Sequence, residues 1–599
     1  MSQSEKMASG KVEVKQSSEH HEHVEAVKTV HTDGTVDLVD THAIGGELDE
    51  MPRGYFRSAQ FIGTVTAVCT GSICAYLGWV LPANTLLLID QDIGPSPNIG
   101  WVGTVWILGS AIGFLLFGRL SDIFGRKYMV IGTSVLSIIG NSVGGTAHSV
   151  NTLIAANAFN GVAAAGQLSF GIVLGELVPN KQRGPIVSLV FFSSMPFAVF
   201  GPIIARKLID STAAGWRWSY YLGIIFGVIT VALYQFLYHP PTYSQLHVNG
   251  KTKWQAFKEL DFVGIFLFIA GIVLFLIGVS WGGQVYPWKS AHVICPIVIG
   301  IVTLVSFGLY EQYLCKTTPL MPPRLFTDVG YVAIVVAACI GAMVYYSMTV
   351  VWPTLIGTIY TTDVIKIGWQ SSVVGGGVLL GQLVGGLAIT YLPKVKIQCI
   401  VLAVCTTAFV GSLAALRADT HTFVIVMGTL GCFVIGWIDN ITFPGVTLVI
   451  APQDIGLATG ILGSIRALGG AVAQAIYVSI LTNKAAIYIP KNVIPAATGA
   501  GLPASSLPAL FKGITAGRFT DVPGITPDII EATGIAVRNA YVTTFHYIFY
   551  ASIPFSICLI VACCFVPDMD KFLHNNVAKR LQHMGKLDGQ ANVDRAEKV

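Results

Sequence analysis

An all-α, multi-pass membrane protein of about fourteen spanning helices, arranged as two six-helix bundles plus two extra helices, is the fold class this sequence predicts. Three observations predict it. Of 599 residues, 53% are hydrophobic and only 11% are charged, with a mean hydropathy of +0.66. A soluble chain carries about 25% charge, so there is too little polar surface here to cover a soluble multidomain enzyme. The apolar residues gather in runs of about 20, the length needed to cross a bilayer. The basic residues are biased toward every second connection, which sets the orientation.

Taken in order, the apolar runs place spans near 60–81, 100–120, 128–147, 152–177, 184–207, 218–238, 262–281, 293–313, 330–352, 368–392, 397–416, 422–446, 456–482 and 543–566. An even number with a cytoplasmic start puts both termini inside. Short loops expected inside hold Arg119, Arg126, Lys127, Lys181, Arg183, Lys251, Lys253, Lys258, Lys316, Arg324, Lys394 and Lys396; those expected outside hold Arg206, Lys207, Arg217, Lys289, Lys366 and Arg417. The excess on the inner side supports the orientation.

The domain organisation follows. Residues 1–50 lack an apolar core and read as a disordered cytoplasmic tail, with His20, His21 and His23 solvated. An N-terminal six-helix bundle occupies 51–240. A linker with two inserted helices occupies 241–327, and a C-terminal bundle 328–566 includes an Ala-, Pro- and Gly-rich outer loop at 483–541. The tail at 567–599 is charged and amphipathic, suited to the inner leaflet or to solvent. The net charge of +4 gives no case for nucleic acid, and the 11 Cys form no CxxC pair, so neither a metal site nor a disulfide framework is expected. No Walker sequence, HExxH motif or Ser–His pairing suggests an enzyme or an ATP-driven pump.

Residues 118–127, GRLSDIFGRK, join two apolar runs through a short charged turn. Here Gly118, Asp122, Gly125, Arg126 and Lys127 are expected to form a gate, with the Asp122 carboxylate pairing with a base as two bundles rock. The segment can be laid on 386–396, GLAITYLPKVK, with Gly118 on Gly386 and Arg126 on Lys394. Two related halves leave such an echo. Gly377, Gly381 and Gly385 share one helix face, for tight packing or for sliding.

Intramembrane polar residues mark the candidate substrate and proton cavity. Asn157, Asn160, Gln167 and Glu176 lie on the fourth span; Trp437, Asp439 and Asn440 lie on the twelfth; Arg466 lies on the thirteenth, as a cavity partner of Asp439 or snorkelling to the interface. Asp439 suits reversible protonation. Gly201 and Pro202 should bend the fifth span.

The 118–127 segment resembles the loop signature of the major facilitator superfamily, Gly-x-x-x-Asp-x-x-Gly-Arg-Lys, with Ile123 where a base usually follows the Asp. The stretch LIAANAFNGVAAAGQ resembles the superfamily's fourth-helix motif with Asn157 in place of Arg, and Gly201-Pro202 resembles the antiporter motif, with Ala205-Arg206 replacing the downstream glycine pair. Arg53-GYF, residues 90–127, GVAAAGQLSFGIVLGELVP, Gly215-WRWSYY, HPPTY and FVPDMDKFLHNNVAKRLQ together resemble the fungal trichothecene efflux pump family, fourteen-helix relatives of siderophore transporters. The resemblance implies a plasma-membrane exporter of small hydrophobic fungal metabolites or toxins, driven by proton antiport; a monomer without a cofactor is expected. Import of a ferric siderophore is the alternative. An Asp of the first span in related antiporters is Ile73 here, so coupling is expected at Asp439, then Glu176.

Overall fold

The computed structural model describes residues 12–13, 25–30, 36–41, 43–48, 51–52, 54–94, 96, 98–246, 252–283, 285–315, 317–516 and 518–582. His20, His21, His23, Arg53, Lys251, Lys316 and Lys586 lie outside the described residues.

The chain is a multi-pass helical membrane protein. Its main helices are α1 (Ala59–Ala83), α2 (Ile99–Phe124), α3 (Arg126–Gly145), α4 (Val150–Leu177), α5 (Arg183–Ser193), α6 (Gly201–Ser211), α7 (Trp218–Leu237), α8 (Phe262–Trp281), α9 (Ala291–Leu309), α10 (Val329–Leu355), α11 (Val364–Tyr391), α12 (Val395–Ser412), α13 (His421–Val449), α14 (Ile455–Gly499) and α15 (Pro527–Phe565). Thirteen helices among the described residues are long and apolar enough to cross a membrane. The expected crossing at 184–207 is instead broken into α5, a turn of helix at Met195–Ala198, and α6. Pro196 and Pro202 lack the N–H that would continue the ladder. Ser193 and Ser194 both donate to the Val190 carbonyl, at 2.6 and 3.3 Å, which bends the chain there.

The helices fall into two groups with the same internal plan. α1 packs on α7, and α4 packs on both α2 and α3; correspondingly α10 packs on α15, and α13 on both α11 and α12. Contact between the groups runs along two seams, α2 against α14 and α5 with α6 against α11. The pair α8–α9 packs on itself and touches α2 and α14 at the first seam. Outward-facing Ile294, Val298, Val302 and Val305 on α9 are exposed, as a lipid-facing surface requires.

The echo between the halves has a structural counterpart. A Cβ on Gly118 would stand 3.0 Å from the Gly456 carbonyl of α14, and one on Gly386 of α11 would collide with the Ser188 hydroxyl of α5. Each glycine thus allows one of the two seams to close. Gly377, Gly381 and Gly385 instead face Cys432, Phe433 and Trp437 of α13 within the same group, where they serve tight packing.

Three expectations are corrected. The stretch 483–541 is largely helical: α14 continues to Gly499 and α15 starts at Pro527. The first helix therefore projects about 25 Å beyond its expected end, at 1.5 Å per residue. Alanine is the best helix former, and Val493, Ala497, Leu510, Val522 and Ile529 close a small separate core that the isolated prolines do not prevent. The N-terminal tail is not structureless where it is described: Val12–Glu13, Glu25–Val30 and Val36–Asp40 form an antiparallel sheet. As far as residue 582, the tail after 567 is neither an amphipathic helix nor a free chain. Its strand Asn576–Lys579 pairs antiparallel with Ile44–Glu47, so both termini meet on one face, called here the terminal face.

Candidate functional site

Between the two groups lies a cavity of about 40 Å³, lined by Tyr76, Trp79, Trp106, Phe170, Tyr346 and Phe443 among others. That is room for a few water molecules. Trp79 and Trp106 stack at 5.1 Å, and Tyr346 meets Trp79 edge-on at 5.6 Å across the groups. Phe170 meets Phe443 at 5.0 Å. The aromatic walls are in contact, so admitting a bulky ligand requires the groups to part.

One charge enters this apolar chamber. The Arg466 guanidinium lines it, 5.2 Å over the Phe443 ring and 5.8 Å over Tyr346. Its Nε and Nη2 donate to the two oxygens of Asp439, each at 3.0 Å. The side chains are 11% and 3% exposed, so this is a buried, two-pronged ion pair. Gln382 Nε2 donates to Asp439 Oδ2 at 2.9 Å. Asp439 is therefore not a lone buried acid, and Arg466 does not snorkel.

From this pair a chain of polar contacts leads to the other group. Asn440 donates to the Gln382 carbonyl and, at 3.1 Å, to Ser188 Oγ. Ser188 Oγ also donates to the Gln382 carbonyl at 3.2 Å. Toward the terminal face Arg183 Nη1 donates to the Thr447 carbonyl at 2.6 Å, and Thr390 Oγ1 donates to the Lys181 carbonyl at 2.9 Å. Hydrogen bonds between the groups, among the described residues, thus concentrate on the terminal side of the cavity.

The rest of the expected cavity set lies elsewhere. Asn157 Nδ2 donates to Tyr220 Oη at 3.4 Å and Asn160 Nδ2 to Asn141 Oδ1 at 3.3 Å, so both face α3 and α7 inside their own group. The Gln167 backbone lies against Gly71 of α1, and Trp437 packs on Gly381 and Gly385. Periodicity puts Asn157 and Asn160 on one face of α4, but it does not say which neighbour that face meets.

Glu176 is also displaced from the expected cavity. It is buried at the terminal end of α4, where its Oε1 accepts from Arg126 Nη2 and from Lys579 Nζ, each at 2.9 Å. Arg126 Nη2 also pairs with Asp122 Oδ1 at 2.6 Å, and Nη1 donates to Ser121 Oγ. Gly125, with φ of 95°, makes the turn that brings Arg126 back over α2; that backbone region favours glycine. Asp122 and Arg126 are thus paired within one group. The guanidinium lies against Gly456 at the start of α14, where a Cβ would collide with it. Lys127 stands apart, its Nζ donating to the Gln235 carbonyl at 2.7 Å. Pro202 opens α6, and Gly201 packs on Val80.

Lys579 belongs to a strap over the terminal face. Asn180 Nδ2 donates to the Phe572 carbonyl at 3.2 Å, Lys181 N to the His574 carbonyl at 3.2 Å, and Leu581 N to Tyr55 Oη at 3.1 Å. On the other group Lys394 N donates to Asp570 Oδ2 at 3.0 Å, and Met569 is buried against Gly445. The strap therefore spans both groups. Nothing in the sequence neighbourhoods of Arg183, Ser188, Gln382 and Lys579 marks the contacts they make here; Gln382, a lone amide in a glycine-rich span, is the one visible signal.

The α5–α11 seam supplies a direct test of packing. A Cβ on Gly184 would collide with the Gly386 carbonyl and the Ile389 side chain. Gly184→Ala is expected to cost about 1–3 kcal/mol through overpacking, read as a lower apparent Tm in detergent. An unchanged Tm would show that the seam is loose.

Comparison with known proteins places the chain among transporters. The model of the fungal trichothecene efflux pump family matches residues 27–596. The chain is 31% identical over 570 residues to the trichothecene efflux pump TRI12 of Fusarium sporotrichioides, covering 93% of this chain and 95% of that one. It is 28% identical over 560 residues to the trichothecene efflux pump TRI12 of Trichoderma arundinaceum, covering 91% and 92%. Among solved structures, the human organic anion transporter MFSD10 aligns with a TM-score of 0.51 at 12% identity, covering 83% of this chain and 99% of that one. That likeness shows the major facilitator fold.

Proposed function

The chain belongs to the fungal trichothecene efflux pump family, and from that premise we propose that it exports small hydrophobic metabolites or toxins from the cytosol across the plasma membrane by proton antiport. It works as a monomer, with the terminal face cytoplasmic, and two six-helix bundles rock about the central cavity. The observation that carries this reading is the buried Asp439–Arg466 pair at an aromatic chamber between the bundles. An apolar, aromatic wall suits a hydrophobic ligand with few polar groups. A single buried carboxylate with a neighbouring cation suits the exchange of a proton for a conformational change.

The chemistry follows from the contacts. A proton on Asp439 removes the negative charge that holds Arg466 and loosens the hydrogen bond from Gln382. The Gln382 carbonyl is an acceptor in the tie to Ser188 on the opposite bundle. Proton loading at Asp439 is therefore coupled to the seam between α5 and α11. With that seam released, the bundles part on the terminal side, the aromatic walls separate, and substrate enters. Loss of the proton re-forms the ion pair and closes that side.

The relatives named above are exporters by their names, and the reading of this chain as a ferric siderophore importer draws no support from them. The test is accumulation of a labelled trichothecene in cells stripped of their own exporters and siderophore carriers. Cells expressing the protein are expected to hold less toxin, and a protonophore is expected to abolish the difference. Equal toxin levels would remove this substrate class. Efflux indifferent to the protonophore would remove antiport.

A further inference from the structure

The two inserted helices meet at their terminal ends in a cluster that the transport reading does not use. Asp261 caps α8, its Oδ1 accepting from Gly264 N at 2.9 Å. Glu311, just beyond α9, accepts through Oε1 from Leu320 N at 2.9 Å and from Met321 N at 3.3 Å. One oxygen of each carboxylate is thus occupied in holding backbone. The other two, Asp261 Oδ2 and Glu311 Oε2, are buried with no hydrogen-bond partner. The residues are only 2% and 6% exposed. With the sulfur of Cys315, one ligand atom from each of the three residues lies within 4.8 Å of the others. Cys315 is half-buried and makes only long contacts with Thr317, at 3.6 Å.

Two buried carboxylates turned toward each other are stable only with a shared proton or a cation between them, since an unpaired buried charge is costly. We infer that Asp261, Glu311 and Cys315 bind one divalent cation of zinc type, which staples α8 to α9. Two carboxylates and a thiolate form a mixed oxygen–sulfur set; zinc accepts both ligand kinds, whereas magnesium and calcium favour oxygen alone. Binding replaces the Cys315 thiol proton, which leaves to solvent, and three negative ligands face a charge of two. Three protein ligands leave the fourth tetrahedral position to water.

The site lies next to the gate segment. Glu311 holds the return loop through Leu320 and Met321, and Arg119 of the 118–127 segment donates through Nη2 to the neighbouring Pro319 carbonyl. The bound cation therefore fixes the loop on which that segment of α2 rests.

The test uses the full-length protein purified in detergent, washed with chelator and equilibrated with Zn²⁺ against a chromophoric chelator. Wild type is expected to retain one zinc per chain, undisplaced by excess Mg²⁺. Cys315→Ser and Glu311→Gln are each expected to weaken binding at least about tenfold, the scale of losing a metal-positioning group. Glu311→Gln keeps an oxygen for Leu320 and Met321, and equal apparent Tm in chelator confirms that both variants fold. Zinc retained equally by wild type and by the combined Glu311→Gln, Cys315→Ser variant would place the metal elsewhere and overturn the site. No zinc in wild type would mean that the carboxylates share a proton, which also overturns it. Neither outcome depends on transport, so this inference and the export reading fail separately.

Discussion

Asp439→Asn is expected to abolish proton-driven transport and to destabilise the protein by about 3–5 kcal/mol, the scale for removing one partner of a buried ion pair. The Arg466 side chain is 11% exposed, and among the described residues its charged contact is with Asp439 alone. Neutralising that partner leaves a buried cation with one amide oxygen and the Phe443 and Tyr346 rings to offset it. The companion variant separates stability from coupling. Combining Asp439→Asn with Arg466→Gln removes both charges and is expected to recover most of the lost apparent Tm, because a neutral replacement of a buried pair is often neutral or stabilising. Transport is not expected to return, since no group there then exchanges a proton. Protonophore-sensitive efflux in the doubly substituted protein would move coupling away from Asp439.

Glu176→Gln has the second largest expected effect. One oxygen, Oε1, serves both Arg126 and Lys579, and the residue is buried. Neutralising it leaves buried Arg126 with Asp122 as its one charged partner among the described residues and removes the anchor of Lys579. The strap should then detach more often from the terminal face. Cleavage of a transiently open segment follows its open population, so trypsin cutting at Lys579 and Arg580 is expected to accelerate about tenfold, corresponding to roughly 1.4 kcal/mol of lost docking. Efflux should fall at the same time, because a face that closes poorly leaks the gradient of substrate. Unchanged cleavage together with unchanged efflux would reduce this cluster to topological anchoring. The expected asymmetry with Asp122 is informative: Asp122 is 35% exposed, and a partly solvated pair contributes about 1 kcal/mol or less.

The turn at 118–127 was legible because its signals are local. Gly125 needs a backbone conformation that glycine favours, and Asp122 and Arg126 are one helical turn apart, so their pairing follows from spacing alone. The echo between Gly118 and Gly386 was visible for the same reason: close helix crossing demands a missing side chain wherever it occurs. The cavity was much less legible. Arg466 and Asp439 are 27 residues apart on different helices, and nothing in either neighbourhood specifies the rotation that turns them toward each other. Asn157 and Asn160 carry the same polar signal as Asp439, yet they donate to Tyr220 and Asn141 inside one bundle. The chamber wall is aromatic, and a Trp or Phe on an apolar helix is indistinguishable by sequence from a packing residue.

By itself, the sequence determined the solvent and the secondary structure of this protein. A chain so poor in charge must place its apolar runs in lipid, where each run must satisfy its own backbone as helix. It also determined the turn at Gly125 and the small residues at the seams. Tertiary structure alone decided which polar residues face the cavity, that Glu176 pairs with Arg126 and Lys579 rather than lining the chamber, that α14 and α15 continue well past the membrane-length runs, and that the last described strand returns to pair with Ile44–Glu47. The physical reason is range. Helix formation and turn geometry are set within a few residues, whereas the partners of a buried charge are set by the rotation of helices that are distant in the chain, and burial makes that choice decisive because an unpartnered charge is too costly to leave in place.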